Sequence, residues 1–244
     1  GRGIDIDIEN IDLEDTSVYA MIARGETDGL FQLESGGMKQ FLRELVPNTL
    51  EDIIAGISLY RPGPMESIPT YVANKHNPAL VRYKHPSLEP ILNITYGCIV
   101  YQEQVMQIVQ ELGGYSLGRA DLLRRAMSKK KHDVMEKERE AFVAGAQQTG
   151  VARETANQIF DEMSSFASYA FNKSHAAAYA FVSYQTAYLK CHYPREFMAA
   201  LLTSVLDNTD KVIEYIGECN RMGIKVLPPD VNVSVEGFTV SGEE

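Results

Sequence analysis

Apolar residues recur at helical spacing along most of the chain. After Ser35, the residues Met38, Phe41, Leu42 and Leu45 follow at intervals of three and four. Such spacing is typical of an amphipathic α-helix that buries one face. The same period predicts further helices over residues 16–23, 53–59, 103–112, 117–131, 133–148, 153–167, 176–193, 194–206 and 209–223. The pattern therefore predicts a mostly helical body.

Polar residues and glycines mark where several of these helices begin and end. Asp15 or Thr16 is suited to cap the first helix, and Gly25 to end it. Ser116 and Ser174 precede later helical patterns in the same way and are predicted N-caps. These positions give boundaries that the structure can test.

A smaller part of the sequence favours extended structure. Asp5 and Asp7 alternate with isoleucines, residues 98–101 are apolar and partly β-branched, and the tail from 225 onward has no helical period. Residues 66–96 are rich in proline and form the least regular part of the chain. We therefore predict a mainly α fold, with many helices and short β segments near the ends.

Composition narrows the class of protein. The chain has 244 residues, of which 45% are hydrophobic and 23% charged, which is ordinary globular usage and enough for an ample core. Its three cysteines and five histidines lack zinc-ligand spacing, so no structural metal is expected. No apolar run approaches 18 residues, so we expect a cytoplasmic protein without a membrane span. The opening without methionine favours a piece of a longer protein.

The charge of the chain is unevenly distributed. A net charge of -10 argues against nucleic-acid binding, yet residues 119–131 hold six basic residues and one acidic residue. On a helix, Arg125 and Lys129 lie one turn apart, with Arg124 on the flank. Converging arginine and lysine side chains suit a polyphosphate. The alternative is a solvated helix end, whose cations are favoured by the helix dipole.

A second candidate binding site lies at residues 170–181. Asn172 and Lys173 come just before a predicted helix start and His175 just inside it, where free backbone N–H groups favour an anion. Tyr179 shares a helix face with His175, and the alanines between them would let a flat base pair approach. The alternative is that the alanines only permit close helix packing.

The carboxylates of Asp5 and Asp7 would share one face of a strand, as in some two-metal sites. They lie, however, in an acidic run that includes Glu9 and Asp12, which favours a solvated lead-in. No nucleotide-loop or nucleophile-elbow motif is present. We therefore assign neither a catalytic residue nor a metal ligand.

Several motifs together resemble the alpha subunit of bacterial DNA polymerase III, the C-family replicative polymerase. They are FQLESGGMKQF (31–41), YRPGPM (60–65), YGCIVYQEQVMQI (96–108), YSLGRADLLRRAMSKKK (115–131), FNKSHAAAYA (171–180), HYPREFMAALLTS (192–204) and LPPDVN (227–232). The resemblance covers nearly the whole chain in the expected order. It implies the fingers region of a DNA-directed DNA polymerase.

The resemblance also implies a domain organisation and the part of the polymerase that holds the catalytic aspartates. Residues 1–25 would lead in from the palm domain, 26–225 form the helical fingers domain, and 226–244 begin the following domain. The PDFDxD-type motif of palm aspartates is missing here. In such a parent polymerase Mg²⁺ would therefore bind ligands outside this fragment, and the isolated fragment would be inactive.

Site residues follow from the motifs that match. The resemblance and the local chemistry assign nucleotide binding to Arg124, Arg125, Lys129, Asn172, Lys173, His175 and Tyr179. DNA binding is assigned to Lys130, Lys131 and Arg61. The implied partners are a deoxynucleoside triphosphate, primer-template DNA and other subunits of the polymerase holoenzyme. Without the resemblance, a non-catalytic helical module that binds polyphosphate or nucleic acid, or an interaction domain, would also fit.

Overall fold

The computed structural model describes residues 5–129, 132–167 and 169–241, and these ranges are mainly helical. Their α-helices are α1 (Thr16–Ala23), α2 (Gly36–Leu45), α3 (Leu50–Leu59), α4 (Ile68–His76), α5 (Glu89–Leu92), α6 (Gln102–Glu111), α7 (Leu117–Ser128), α8 (His132–Gln148), α9 (Arg153–Ala167), α10 (Lys173–His192), α11 (Pro194–Ser204) and α12 (Thr209–Arg221). Short 3₁₀ turns cover Pro64–Ser67, Pro78–Leu80, Pro86–Leu88 and Asn93–Thr95. The predicted helical class is confirmed.

Helix α2 shows how directly the sequence pattern becomes structure. Its predicted stripe of Met38, Phe41, Leu42 and Leu45 is buried. The hydroxyl of Ser35 accepts a hydrogen bond from the backbone N–H of Met38, at the position expected of an N-cap. Both signals are local, so they could be recognised without knowing what the helix packs against.

The expected short β segments are not found in the described ranges, where the only β pairing is an isolated bridge between Tyr101 and Phe171. The Asp7 carboxylate instead accepts hydrogen bonds from the Glu9 backbone and the Asn10 side chain. In the tail, the Asp230 carboxylate likewise accepts a hydrogen bond from the Asn232 backbone N–H. Local side-chain bonds of this kind replace the ladder that a strand requires.

The proline-rich stretch contains a helix that the sequence pattern missed. Helix α4 carries Pro69 in its first turn, where a missing N–H costs no hydrogen bond. Its Lys75 forms an ion pair with Asp52 at 3.3 Å. Its Asn74 side chain donates to the carbonyl oxygen of Tyr96 at 2.8 Å. Contacts with residues about twenty positions away thus stabilise α4.

Helix α10 begins earlier than predicted. The side-chain oxygen of Asn172 accepts a hydrogen bond from the His175 backbone N–H at 2.9 Å, which makes Asn172 the N-cap. Lys173 is the first helical residue, and Ser174 lies inside the first turn. The predicted cap at Ser174 is therefore wrong by two residues.

The described residues cluster into two compact units. The first lies within Gly1–Leu50 and Tyr179–Glu244, and the second within Glu51–Ala178. Residues 1–4, 130, 131, 168 and 242–244 are outside the description.

In the first unit, a buried lysine joins three chain segments. Lys190 donates to the carbonyl oxygens of Glu26 and Asp28 at 3.0 and 2.9 Å and pairs with the Glu218 carboxylate at 2.6 Å. The Lys190 side chain is only 1% exposed. Its three N–H donors all have partners, so α10 is tied both to α12 and to the turn that follows α1.

The second unit is organised around an apolar core shared by α5 to α9. Phe142 of α8 and Phe160 of α9 are buried with ring centroids 5.6 Å apart. Close packing makes Gly145 necessary in α8, because a Cβ there would lie 2.2 Å from the carbonyl oxygen of Gly113. This core fixes the position of α7, whose Leu123 and Met127 it contains.

Replacing Lys190 should reveal how much the first unit depends on the buried ion pair. In Lys190→Ala, the Glu26 and Asp28 carbonyl oxygens lose their donor, and the Glu218 carboxylate keeps its pair with the exposed Arg221 but loses its buried partner. We expect the free energy of unfolding to fall by about 3 kcal/mol. Lys211→Ala is the control, since Lys211 is more exposed and pairs with Glu214 at 3.0 Å. That change should cost no more than about 1 kcal/mol. Urea unfolding of the 244-residue chain measures both, and equal losses would contradict the prediction.

The cap of α10 can be tested separately. Asn172→Ala removes the acceptor for the His175 N–H and should lower the free energy of unfolding by about 1 kcal/mol. Asn172→Ser restores a cap oxygen and should recover most of that loss. Urea midpoints compare the two variants. A serine variant that is as unstable as the alanine variant would argue against the capping role.

Candidate functional site

Helix α7 buries one face in the core and carries the two predicted arginines outside it. Leu123 and Met127 lie in the core, together with Ala120. This burial directs Arg124 and Arg125 away from the core. The Arg124 side chain is 21% exposed and that of Arg125 is 64% exposed. The two arginines thus occupy neighbouring but different environments.

A single carboxylate contacts both arginines. Asp121 Oδ1 accepts from Arg124 Nε at 3.0 Å and Nη2 at 2.7 Å, and Asp121 Oδ2 lies 2.8 Å from Arg125 Nε. Hydrogen bonds from Arg124, with the charge of Arg125 added, lower the pKa of Asp121. One negative charge faces two positive charges, so this part of α7 remains cationic.

Gln102, the first residue of α6, connects Arg124 to another part of the chain. Its side-chain oxygen accepts from Arg124 Nη1 at 3.1 Å, and its side-chain nitrogen donates to the Ala170 carbonyl at 2.9 Å. Its backbone N–H donates to the Phe171 carbonyl at 2.9 Å. The basic helix is therefore hydrogen-bonded to the segment that leads into α10.

The next residue, Glu103, contacts the start of α10 itself. Its carboxylate accepts from the Lys173 backbone N–H at 3.0 and 3.2 Å and from the Asn172 side chain at 2.9 Å. A helix N-terminus favours negative charge, and here that charge comes from the protein. Sequence reasoning identified the anion-favouring helix start but missed Gln102 and Glu103.

The ammonium group of Lys173 lies in an acidic, aromatic environment. It pairs with Glu51 at 3.1 Å and lies 5.3 Å from the ring centroid of Tyr101. The Tyr101 hydroxyl and Glu51 Oε2 are buried and have no hydrogen-bond partner in the described part of the chain. Burial raises the pKa of Tyr101, and the nearby Glu51 and Glu103 carboxylates raise it further. The charge of Lys173 is thus offset locally.

Arg61 also lies at the start of α10. Its guanidinium carbon is 3.7 Å from the ring centroid of Phe171, a distance typical of a cation–π contact. The Phe171 ring meets the His175 ring edge-on, with centroids 5.4 Å apart. The Phe171 ring therefore contacts both a predicted DNA-binding residue, Arg61, and a predicted nucleotide-binding residue, His175.

The remaining predicted site residues are not joined to this group by the contacts described above. Lys129 is exposed just after α7. Tyr179 belongs to the first unit, where its ring centroid is 5.2 Å from that of Phe31. Lys130 and Lys131 lie outside the described residues. The connected site consequently consists of Arg124, Asn172, Lys173, His175 and Arg61, with Arg125 joined through Asp121.

Neither a metal site nor a membrane span emerges from the described ranges. No three His, Cys, Asp or Glu side chains there form a group that could hold a metal ion. None of the helices in those ranges is both long and apolar enough to cross a membrane.

Comparison with known proteins gives a consistent family. The model of the bacterial DNA polymerase III alpha subunit finger domain matches residues 1–150. DNA polymerase III subunit alpha of Thermus aquaticus is 55% identical over 248 residues, covering 100% of this chain and 20% of that protein. The corresponding subunit of Escherichia coli K12 is 50% identical over 245 residues, covering 98% and 21%.

A third relative, DNA polymerase III subunit alpha of Bacillus subtilis, is 50% identical over 239 residues and covers 98% of this chain and 21% of that protein. The chain thus spans about a fifth of the length of these curated relatives. The identity extends over both compact units. From the family model and this full-length identity, the chain belongs to the bacterial DNA polymerase III alpha subunit family.

Proposed function

We propose that this chain is the fingers module of a bacterial replicative DNA polymerase and that it binds the triphosphate of the incoming deoxynucleotide. We retain residues 26–225 as the fingers domain, with a lead-in at 1–25 and the start of a following domain at 226–244. The observation that carries the proposal is the hydrogen-bonded path from Arg124 through Gln102 to the segment entering α10. It joins two motifs chosen independently from the sequence.

The distribution of charge supports α7 as the phosphate-binding element. Arg124 and Arg125 of α7 and Lys129 just after it carry three positive charges against the one negative charge of Asp121, which leaves two positive charges. Arginine can grip phosphate oxygens with two parallel N–H bonds, while lysine supplies a point charge. Such fixed cations would stabilise the negative charge that develops on pyrophosphate as the nucleotide is transferred.

The start of α10 is suited to a different task. There Lys173 pairs with Glu51, and the Glu103 carboxylate accepts from the Lys173 backbone N–H, so the ammonium group and the helix N-terminus are already matched by negative charge. Asn172 and the His175 ring offer polar and aromatic surfaces instead. We assign this element to the nascent base pair, where stacking and hydrogen bonding discriminate partners.

DNA contacts complete the proposal. We assign Lys130, Lys131 and Arg61 to the phosphate backbone of the primer-template. Such contacts weaken as salt rises, because bound counterions are released on association. The other holoenzyme subunits would bind through the parent chain.

Magnesium would act elsewhere in the parent polymerase. The described residues offer no group of carboxylates that fits a two-metal site, and Asp7 bonds to its own neighbours. We therefore assign the Mg²⁺ ligands to parts of the polymerase outside this chain and derive no step through the metal here. Catalysis of nucleotide addition accordingly requires the parent protein.

The α7 arginines can be tested in the parent polymerase. Arg124→Ala or Arg125→Ala removes charge-assisted bonds worth about 1.5–3 kcal/mol. We expect the nucleotide KM to rise about 10- to 100-fold, with duplex DNA affinity largely retained. Steady-state primer extension and DNA titration measure the two quantities.

Arg119→Ala is the matched control, since Arg119 lies on the same helix but pairs with Glu138 at 3.0 Å. It removes the same charge from α7 and should leave the nucleotide KM within about twofold. An unchanged KM and turnover in both Arg124→Ala and Arg125→Ala would contradict the assigned role.

The isolated chain provides a separate test. Because its described residues lack a carboxylate group suited to two metal ions, we expect no primer extension with Mg²⁺. DNA binding by the same sample should be weak and should decline as salt increases. Extension by a sample free of other polymerases would show that the catalytic carboxylates lie within this chain.

A further inference from the structure

We propose that Gln102 is a positioning residue for nucleotide binding, which holds the Arg124 guanidinium in a fixed relation to the start of α10. The inference rests on the proposed function of α7. It concerns a residue that carries no charge and that the sequence did not single out. Its support is the set of three hydrogen bonds that Gln102 makes to two different elements.

The amide group of Gln102 acts as acceptor and donor at once. Its oxygen accepts from Arg124 and its nitrogen donates to the Ala170 carbonyl. A carboxylate in its place could accept but not donate, and an apolar side chain could do neither. Only an amide of this length satisfies both neighbours, so the position has a specific chemical requirement.

A comparison of the two arginines shows what Gln102 adds. Asp121 contacts both, but it belongs to the same helix and therefore fixes neither relative to another element. Arg124 alone is tied to α6, and its side chain is 21% exposed against 64% for Arg125. Ordering an arginine side chain costs about 2 kcal/mol of rotamer entropy. Because the hydrogen bond to Gln102 already orders the Arg124 side chain in the free protein, less of that entropy is lost when the nucleotide binds.

The surrounding backbone should survive a change in this side chain. The Gln102 backbone N–H remains bonded to Phe171, and Glu103 still contacts Asn172 and Lys173. Tyr101 also pairs with Phe171 in the isolated bridge. A substitution of the side chain alone should therefore release Arg124 and leave the α6–α10 connection in place.

The test uses the parent polymerase with Gln102→Met, which keeps the length of the side chain, and Gln102→Glu. We expect the methionine variant to raise the nucleotide KM about fivefold, with kcat within about twofold. The glutamate variant should raise KM further, because its charge competes with phosphate for Arg124. The inhibition constant of inorganic pyrophosphate should rise in the same order. Gln107→Met and Gln107→Glu, at an exposed position of the same helix, should change neither constant.

A double-mutant cycle distinguishes positioning from a structural role. If Gln102 acts through Arg124, Gln102→Met should add little to the KM of Arg124→Ala. Full additivity, or an unchanged KM in both Gln102 variants while Arg124→Ala raises it, would overturn the positioning role. An unchanged KM in both Arg124→Ala and Arg125→Ala would instead refute the proposed function of α7. DNA affinity, which should be retained in every variant, reports whether the protein is folded.

Discussion

Two consecutive residues at the start of α6 satisfy polar groups from two other helices. Gln102 bonds to Arg124 of α7, and Glu103 bonds to Asn172 and Lys173 at the start of α10. Each bond involves groups that would be costly to leave unpaired once they are partly buried. The spacing between the basic helix and the α10 start is consequently set by α6, whose own position is fixed by the apolar core of the second unit.

The sequence predicted elements whose signals are local and missed those that depend on distant partners. The buried stripe of α2 and its Ser35 cap follow from residues within one helix. Helix α4 was missed because it lies in a proline-rich segment with no clear helical period. One contact that stabilises it, the ion pair of Lys75 with Asp52, involves a residue outside that segment. The cap of α10 was placed at Ser174 because serine and asparagine are both preferred N-cap residues, and only the structure shows that Asn172 accepts from the His175 backbone N–H.

The same distinction applies to the candidate site. Clustered cations identified α7 from the sequence, and the resemblance to a polymerase family gave them a role. Gln102 and Glu103 could not be chosen in that way, because an uncharged amide and one acid in a helical segment carry no distinctive pattern. Their importance appears only when the neighbours of Arg124 and Lys173 are known. Charge balance then separates the cationic α7 from the neutralised start of α10.

A structure of the parent polymerase with primer-template and an incoming nucleotide tests this arrangement most directly. We expect phosphate oxygens of the nucleotide within about 3 Å of the Arg124 or Arg125 guanidinium nitrogens. Gln102 should still bond to Arg124 in that complex, with the start of α10 beside the nascent base pair. A triphosphate bound out of reach of both α7 arginines would contradict the central claim.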